Sequence, residues 1–511
     1  MNENVTFVFS AELEGIDARI VTIEVNLKKG IPRFQIVGLA GGSTRESNDR
    51  VRVALENSGF HFPMQSILVN LSPAGIKKEA SWFDLGISVS LLKLSGQIQS
   101  KVNLEKILFL GELGLDGSVK PIHGLSNILL SKSVHKFHAV IFPEENKEEA
   151  KICEHLKLLP ISHLSEIEDI LHNPEREYKE KFYFKPEIPR LGNVNIFQDQ
   201  LLAFRALTIA LAGKHHTLLI GVPGAGKTML AKICSHLQPP LTRKEFEEIL
   251  KIRSSSELFS SKQILEISRP FRAPHHTSSD ISLIGGGKNM KIGEVSMAHN
   301  GILFLDEVGE FKPQVIQALR EPLEEGKVTL SRVNYHQTLP ASFLFIGATN
   351  PCPCGYLGSS QYECRCLPSK VQKYISRLSG PFLDRMDFII RLQPFSGKLR
   401  QKISIPLDEI YQKIISAKQI QEERYKNSEF NFNGELPGSY VERFCEMSTD
   451  AKKIIESFLQ NPNLSLRRIT KLQKISRTIA DLENSQIIEE SHVLEAYQFI
   501  NFELQNQKIA A

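Results

Sequence analysis

The sequence predicts an α/β protein in three parts: an N-terminal α/β domain, a central α/β core built around a glycine-rich loop, and a C-terminal helical domain. Strand-like and helix-like segments alternate over about the first 170 residues, with strands expected at Ile20–Val25 and Ser66–Leu71. In the middle of the chain, the apolar strand His216–Ile220 leads into the glycine-rich loop and then into a helix. From about residue 400 onwards helical spacing dominates, as in Leu466–Leu482.

The predicted domain boundaries follow shifts in composition and periodicity. The N-terminal domain covers residues 1–172, a polar and proline-containing linker covers 173–191, the core covers 192–396, and the helical domain covers 397–511. Further elements expected in the N-terminal domain are a helix at Arg45–Ser58, strands at Ile107–Leu110 and Ala139–Phe142, and a turn at Asp116-Gly117.

Length and composition restrict the class of protein. With 511 residues the chain can hold roughly three or four domains of about 100–200 residues each. Its 62 basic and 58 acidic side chains give a net charge of only +4, so any contact with nucleic acid must come from a local basic surface. No run approaches the roughly 18 apolar residues of a membrane-spanning helix, and the N-terminus lacks the pattern of a signal peptide. These features, with seven cysteines, predict a cytoplasmic protein without a membrane partner.

The glycine-rich loop Gly221–Gly226 lies between a strand and a helix and is followed by Lys227 and Thr228. Backbone N–H groups of such a loop can surround phosphate oxygens, and the N-terminus of the next helix adds partial positive charge. Lys227 would reach the β- and γ-phosphates of ATP, and the Thr228 hydroxyl would bind Mg²⁺. A glycine turn without a ligand is the alternative, and the flanking strand and helix argue against it.

Two more strands end in polar side chains suited to ATP hydrolysis. The strand Gly301–Leu305 is followed by Asp306, which can hold Mg²⁺ through water, and by Glu307, which can polarise the attacking water. The strand Phe343–Thr349 is followed by Asn350, whose amide could orient that water. An ordinary buried strand with exposed acidic residues is the alternative for the first strand. The predicted ATP-binding residues are Gly221, Val222, Pro223, Gly224, Ala225, Gly226, Lys227, Thr228 and Asp306, with Thr228 and Asp306 at Mg²⁺.

Two arginines are candidates for contact with the γ-phosphate. Arg385 is a candidate arginine finger, and Arg467 begins a C-terminal helix from which it could touch the phosphate. A lone arginine is usually a solvated surface charge, so both assignments depend on their place in the series of motifs. The predicted catalytic residues are therefore Glu307, Asn350, Arg385 and Arg467.

This ordered series resembles the AAA+ ATPases, specifically the magnesium-chelatase-like family known as YifB or ComM. The resemblance covers nearly the whole chain. Its carriers are the strings Arg269–Thr277, Gly293–Gly301, Asn350–Gly355 and Ser379–Arg385, with Thr478–Asp481 in the C-terminal helical lid. It implies a P-loop AAA+ core in a hexameric ring, with ATP at the subunit interfaces and Arg385 serving the neighbouring subunit. For ComM-like proteins it also implies helicase-type branch migration of DNA in recombination, as in natural transformation.

Two predicted hairpins carry the expectation of DNA binding. They span Leu283–Gly293 and Lys327–Thr338, and both have basic residues near the turn. In a ring these hairpins could project into the pore and meet DNA phosphates without reading bases. Two solvated surface hairpins are the alternative. The candidate DNA-binding residues are Lys288, Lys291, Lys327 and Arg332.

The N-terminal domain resembles the Lon-protease-like domain of this family, on the strings Pro121–Ser126 and Val140–Asn146. A Lon protease needs a serine nucleophile and a lysine base. Here the lysine position holds Ser126, and the serine position holds Trp82, next to Ser81. We therefore expect no proteolysis and a role in DNA binding or ring assembly. Ser81 with a remote lysine is the remaining alternative.

Four cysteines lie within fifteen residues soon after Asn350, and four thiolates suit a tetrahedral Zn²⁺ ion. Paired cysteines in zinc knuckles usually have two residues between them, whereas each pair here has one. A structural zinc site and reduced or redox-sensitive thiols are therefore both open. The four residues are Cys352, Cys354, Cys364 and Cys366.

The adjacent residues His275 and His276 also invite interpretation as a metal site. Neighbouring side chains point in different directions in a helix or strand, so joint ligation of one ion is not expected. A structural role or a place at a subunit interface is the better prediction.

Three functions compete for the whole chain. The leading hypothesis is a ring motor that hydrolyses ATP and moves along single-stranded or branched DNA. The rivals are a chelatase-type ATPase that remodels a protein partner and an ATP-dependent protease. The missing serine–lysine pair argues against the protease. The Lon-like domain argues against the chelatase, because the resemblance implies that the chelatase motor subunit lacks this domain.

Overall fold

The computed structural model describes residues 5–75, 78–99, 102–173, 176–256, 259, 261–287, 291–332, 335–359, 362–378, 380–392, 401–460 and 464–510. The strands are β1 (Val5–Glu14), β2 (Asp17–Lys28), β3 (Arg33–Val37), β4 (Ser66–Ser72), β5 (Ile107–Phe109), β6 (Glu112–Leu113), β7 (Val119–Lys120), β8 (Ala139–Pro143), β9 (Lys157–Ile161), β10 (Asn193–Phe197), β11 (Thr217–Ile220), β12 (Phe271–Arg272), β13 (Gly285–Gly286), β14 (Lys291–Ile292), β15 (Ile302–Leu305), β16 (Lys327–Arg332), β17 (Tyr335–Pro340), β18 (Leu344–Thr349), β19 (Phe388–Arg391) and β20 (Lys402–Pro406).

The helices are α1 (Gly42–Arg45), α2 (Ser47–Asn57), α3 (Asp84–Leu94), α4 (Leu125–Leu129), α5 (Lys147–Ala150), α6 (Ile167–His172), α7 (Leu201–Gly213), α8 (Lys227–His236), α9 (Arg243–Ser254), α10 (Ser261–Ile264), α11 (Asp280–Ile284), α12 (Glu294–Met297), α13 (Pro313–Ala318), α14 (Arg320–Glu325), α15 (Pro368–Arg377), α16 (Gly380–Leu383), α17 (Leu407–Arg424), α18 (Val441–Phe444), α19 (Thr449–Leu459), α20 (Leu466–Leu482) and α21 (Glu490–Ala510). None of the helices described is long and apolar enough to cross a bilayer.

The chain divides into two compact units. The first unit contains Met1–Lys185 and Arg243–Ile267, and the second contains Pro186–Thr242 and Ser268–Ala511. The predicted mixture of an α/β N-terminal part, an α/β core and a helical C-terminal part is confirmed. The predicted domain boundaries stay a prediction.

The first unit is built on a seven-stranded mixed sheet in the order β3-β4-β2-β1-β5-β8-β9. Strand β2 is antiparallel to β1 and β4, and the remaining neighbours are parallel. Successive residues of a strand point to opposite faces. Ile107 and Phe109 accordingly join one hydrophobic cluster, while Leu108 between them joins another. Strand β5 is therefore buried on both faces of the sheet.

Helix α9 belongs to this first unit, although its residues fall inside the range predicted for the core. The side chains of Phe246, Ile249 and Leu250 are buried. Phe182, in the predicted linker, stacks on Phe246 with ring centroids 5.1 Å apart. The Asn127 amide donates to the carbonyl oxygen of Lys251 at 2.9 Å. Helix α9 and part of the linker stretch are thus packed elements of the first unit.

The second unit contains a five-stranded parallel sheet in the order β12-β15-β18-β11-β19. Strand β11, which leads into the glycine-rich loop, lies between β18 and β19. Because all five strands run in the same direction, the loops after β11, β15 and β18 emerge at the same edge of the sheet. That edge carries the candidate site.

The C-terminal part of the second unit is helical, with one difference from expectation. Strand β20 falls within residues 397–511 and pairs in antiparallel fashion with β10. Its residues alternate between exposed and half-buried positions, so the segment lacks the apolar run that marked the core strands.

A buried ion pair fixes two helices of the lid to each other. Asp481 on α20 is fully buried and accepts two hydrogen bonds from Arg424 on α17, at 2.6 and 2.8 Å. Its carboxylate also accepts from Asn433 at 2.8 Å and from Arg477 at 3.1 Å. Burial alone would lower the pKa of Arg424, and the bond to Asp481 raises it above its usual range. The arrangement anchors α20.

Candidate active site

The glycine-rich loop Gly221–Gly226 (the P-loop) adopts a conformation that requires glycine at two positions. Gly224 and Gly226 have φ of +78° and +90°, in the left-handed region. A Cβ atom at Gly226 would lie 2.3 Å from Nε2 of Gln200, which donates to the carbonyl oxygen of Ala225 at 2.8 Å. Helix α8 begins directly after the loop, so its unpaired N–H groups lie beside it. This is the geometry of a phosphate-binding loop.

Lys227, the first residue of α8, is buried and directed back along the loop. Its Nζ donates to the carbonyl oxygens of Gly221 at 2.6 Å and Val222 at 3.1 Å, and to Oδ1 of Asn350 at 3.2 Å. Burial lowers the pKa of the Lys227 amine, and the carboxylates of Asp306 and Glu307 offset part of that shift. The structure thus brings Asn350 at the end of β18 to the P-loop lysine.

Thr228 and Asp306 offer oxygen atoms for a magnesium ion. The Thr228 hydroxyl donates to Oδ2 of Asp306 at 2.7 Å, and Oδ1 of Asp306 accepts the N–H of Glu307 at 2.9 Å. Mg²⁺ prefers hard oxygen ligands of this kind and usually keeps several waters. The pair therefore fits Mg²⁺ bound together with nucleotide phosphates.

Glu307 has a backbone conformation that is unusual for a residue with a side chain. Its φ is +51°, in the left-handed region that costs L-residues about 1–2 kcal/mol. Such strain concentrates at functional sites. The side chain is half exposed, and its Oε2 lies 3.2 Å from Nδ1 of His276. The candidate general base is therefore held by a histidine in this structure.

His276 is a site residue that sequence reasoning missed. That His275 and His276 do not bind one ion together stays a prediction, but their ring centroids lie only 4.1 Å apart. The physical reason is that both residues lie beyond the end of β12, outside regular structure. Strand β12 is only two residues long, and no periodicity in the sequence shows that it lies beside β15.

Arg385 and Arg467 meet at a residue that the motifs did not indicate. Arg385 is almost fully buried and pairs with Glu324 on α14 at 2.5 Å, and Arg467 lies 3.9 Å from the same carboxylate. The side chain of Ser465 caps α20, which places Arg467 in the first turn of that helix. Arg467 also lies 3.9 Å from Asp384. Within the described part of the chain, Arg385 forms its ion pair with Glu324, and Arg467 forms its ion pairs with Glu324 and Asp384.

Strands pair at both predicted hairpins, although Leu283 and Ile284 belong to α11 and not to the first hairpin. Strand β13 pairs with β14 and β16 pairs with β17, each in antiparallel fashion. Lys291 is exposed, and Lys327 is exposed with its amine 3.1 Å from Glu325. Lys288 lies outside the described residues, as does the side chain of Arg332.

The side chains at and next to the Lon-like serine position form hydrogen bonds within the first unit. The indole N–H of Trp82 donates to the carbonyl oxygen of Ala11 at 2.8 Å, and the Ser81 hydroxyl donates to the carboxylate of Glu112. The Ser126 hydroxyl is buried and has no hydrogen-bond partner among the described residues. The hydrogen-bond partner of Ser81 is therefore the Glu112 carboxylate and not a lysine amine.

The four clustered cysteines converge in space. Their sulfur atoms all lie within 4.8 Å of one another, and Cys352 is fully buried while the other three are half buried. A backbone N–H of Tyr356 lowers the pKa of the Cys354 thiol to about 6. The single-residue spacing within each pair is therefore compatible with a compact group.

Comparisons with known families agree with these observations along the chain. The family described as magnesium chelatase, subunit ChlI, matches residues 194–399. The family described as subunit ChlI of Mg-chelatase matches residues 23–146, and the ChlI C-terminal family matches residues 406–499. The three matches cover parts of the N-terminal α/β region, the AAA+ core and the helical lid.

Individual relatives align over nearly the full length. Competence protein ComM of Haemophilus influenzae is 37% identical over 514 residues, covering 96% of this chain and 97% of that protein. The uncharacterized protein YifB of Salmonella typhimurium is 36% identical over 491 residues, and that of Escherichia coli is 35% identical over 492, each covering 95% of both chains. The family implies ATP and Mg²⁺ as ligands and is generally oligomeric. With this site and these matches, the chain belongs to the magnesium-chelatase-like family of ComM and YifB and is an AAA+ ATPase of the ComM type.

Proposed function

We propose that this protein is a hexameric ring motor that hydrolyses ATP to move along DNA, as a helicase or branch-migration factor in recombination or natural transformation. The observation that carries the proposal is the pair of hairpins with the exposed lysines Lys291 and Lys327, on the same unit as the ATP site. Lysine contacts with phosphates are independent of base sequence, as a moving motor requires. One relative, from Haemophilus influenzae, is named competence protein ComM.

In this proposal the residues of the ATP site bind the phosphates, hold Mg²⁺ or activate the attacking water. The P-loop and Lys227 bind the phosphates, and Thr228 and Asp306 hold Mg²⁺, which offsets negative charge on the phosphates when bound. Glu307 accepts the proton of the attacking water, and Asn350 orients that water. The contact between Glu307 and His276 must open before Glu307 can take this role.

We propose that Arg385 and Arg467 both serve the nucleotide of the neighbouring subunit. They share the carboxylate of Glu324, so the buried Arg385 and the half-exposed Arg467 lie close together in the subunit. A γ-phosphate delivered by the neighbour would compete with Glu324 for these guanidiniums, and such contacts stabilise charge in phosphoryl transfer. ATP binding would thereby be communicated around the ring.

The second candidate function is a chelatase-type ATPase that remodels a protein partner. One observation favours it: all three matching families are descriptions of the magnesium chelatase subunit ChlI. Both functions use the same ATP site, so they differ only in what stimulates hydrolysis. Stimulation is therefore the property to measure.

The test compares the ATPase rate of the full-length protein with no DNA, single-stranded DNA, duplex DNA and a four-way junction. A DNA motor should be stimulated by single-stranded or branched DNA, and stimulation should fade with rising salt because phosphate contacts release counterions. Lys291→Ala and Lys327→Ala should weaken that stimulation. Lys453→Ala is a matched control, since Lys453 is an exposed lysine on α19 whose ion pair among the described residues is with Asp450.

In a branch-migration assay, the protein should also dissociate a labelled four-way junction into duplexes, and this should require ATP. Failure of every DNA form to stimulate hydrolysis, with stimulation by a protein partner instead, would overturn the DNA track in favour of the chelatase-type function.

We propose no proteolytic activity for the first unit. The Ser81 hydroxyl is bound to Glu112, and Trp82 is packed where the Lon pattern has its serine. A casein-degradation assay on the full-length protein should give no cleavage. Cleavage that disappears in the Ser81→Ala variant would contradict this assignment.

A further inference from the structure

We propose that Cys352, Cys354, Cys364 and Cys366 bind one structural Zn²⁺ ion that braces the end of strand β18 against the P-loop. The cluster lies in the second unit, where the segment after β18 turns back on itself. Its metal content can be measured independently of DNA binding and of ATP hydrolysis, so this proposal and the motor function can fail separately.

The distances between the sulfur atoms fit one tetrahedral ion. Cys352 Sγ lies 3.4 Å from Cys354 Sγ and 3.7 Å from Cys364 Sγ, and the latter two lie 3.6 Å apart. Four thiolates about 2.3 Å from a zinc ion lie about 3.8 Å from one another. A disulfide would need about 2.05 Å. The spacing therefore matches thiolates around one shared ion.

The backbone around Cys352 explains how a pair with one intervening residue can converge. A turn is closed by the N–H of Gly355, which donates to the carbonyl oxygen of Cys352 at 2.9 Å, and Gly355 has φ of +87°. The N–H of Leu357 then donates to Cys352 Sγ at 3.3 Å. Hydrogen bonds from backbone N–H groups to sulfur stabilise thiolate ligands and orient them. The loop thus supplies both the ligands and their support.

The chemistry of the ligands favours zinc over other ions. Four sulfur ligands in a tetrahedral arrangement are typical of Zn²⁺ or iron–sulfur centres. An iron–sulfur cluster distributes its four cysteines over two or more iron atoms, so the whole set of sulfurs is wider than four thiolates around one ion. The close spacing of the four sulfurs suits a single ion.

The site is connected to the ATP site through two short links. Cys352 follows Asn350 by two residues, and Asn350 accepts a hydrogen bond from Lys227. On the other side, a Cβ atom added to Gly355 would lie 2.8 Å from the ring of Pro223 in the P-loop. A metal ion that fixes this loop would therefore hold both Asn350 and one wall of the P-loop in position.

The test begins with metal analysis of the full-length protein purified without chelator. We expect about one Zn per chain, and less than about 0.3 Zn per chain would overturn the proposal. Cys364→Ser and Cys366→Ser should each lose most of the zinc. Cys445→Ser is the matched control and should keep it, because Cys445 is a buried cysteine outside the cluster.

A second measurement keeps the proposal testable if a serine variant fails to fold. The wild-type protein loaded with Co²⁺ should show intense sulfur-to-cobalt charge-transfer absorption and the visible bands of a tetrahedral ion. A spectrum of oxygen-ligated cobalt would overturn the proposal, as would mass spectrometry showing disulfides between these cysteines. Unchanged zinc content in both Cys364→Ser and Cys366→Ser would do the same.

Discussion

Replacing Asp481 by alanine should destabilise the helical lid strongly. The carboxylate is fully buried and accepts hydrogen bonds from Arg424, Arg477 and Asn433. Its removal would leave the fully buried guanidinium of Arg477 and the partly buried one of Arg424 without their acidic partner, and such losses cost about 3–5 kcal/mol. Since 1 kcal/mol shifts the melting temperature of a domain of this size by roughly 2–4 °C, the expected fall is roughly 6–20 °C.

Thermal unfolding followed by calorimetry or circular dichroism measures this effect in the full-length protein. The control is Asp450→Ala, which removes an exposed ion pair with Lys453 on α19 and should change stability by less than about 1 kcal/mol. Because Asp481 anchors the helix that carries Arg467, the Asp481→Ala variant should also lose ATPase activity below its melting temperature. Equal stability of the two variants would refute the reasoning, since it would mean that the buried pair contributes no more than an exposed one.

Four further changes test the site and the first unit. Lys227→Ala should abolish ATP turnover, and full activity in this variant would refute the assignment of the P-loop. Glu307→Gln should reduce turnover by about 100-fold or more while ATP still binds, which nucleotide-binding and hydrolysis assays separate. His276→Ala should raise the basal ATPase rate by up to about fivefold, because the half-exposed contact it removes is worth no more than about 1 kcal/mol; a loss as large as that of Glu307→Gln would instead mean that His276 is needed for hydrolysis. Burial raises the pKa of Glu12 to about 7, so its contribution to stability falls as pH rises from about 4.5 to about 7. Glu12→Gln should therefore stabilise the protein at pH 8, by on the order of 3 kcal/mol, and much less at pH 5, as measured by thermal unfolding at both values.

The parts of the site that lie next to each other in sequence were predictable. The P-loop joins strand, turn and helix in one continuous segment, so its conformation follows from local rules about glycine and helix termini. Asp306 and Asn350 follow apolar strands, and parallel strands place their carboxyl ends at one edge of a sheet. The class of fold followed in the same way from periodicity and motif order.

Contacts between distant segments were not predictable from the sequence. Glu324 meets Arg385 and Arg467 only because α14, the segment after α16 and the start of α20 come together in the folded unit. His276 reaches Glu307 because two neighbouring strands lie side by side, and nothing in a single sequence specifies their order. Side-chain pairing across such distances depends on tertiary packing, which local patterns do not encode.

The excursion of residues 243–267 into the first unit affects how this protein can be dissected. A fragment that begins at residue 186 would retain α9 but lose the partners that bury Phe246, Ile249 and Leu250. Exposing a buried apolar side chain costs about 1.5–3 kcal/mol. The fragment would therefore carry an exposed apolar surface that is not one of its native interfaces. Aggregation or spurious binding of such a fragment would then be an artefact of the cut.

A sounder fragment would also omit residues 243–267 and join Thr242 to Ser268 through a short linker. The two ends of the excursion are close enough for this, because the guanidinium of Arg269 donates to the carbonyl oxygens of Pro239 and Pro240 at 2.6 and 3.2 Å. The chain passes from one unit to the other three times, so each unit is built from two separate segments of the sequence.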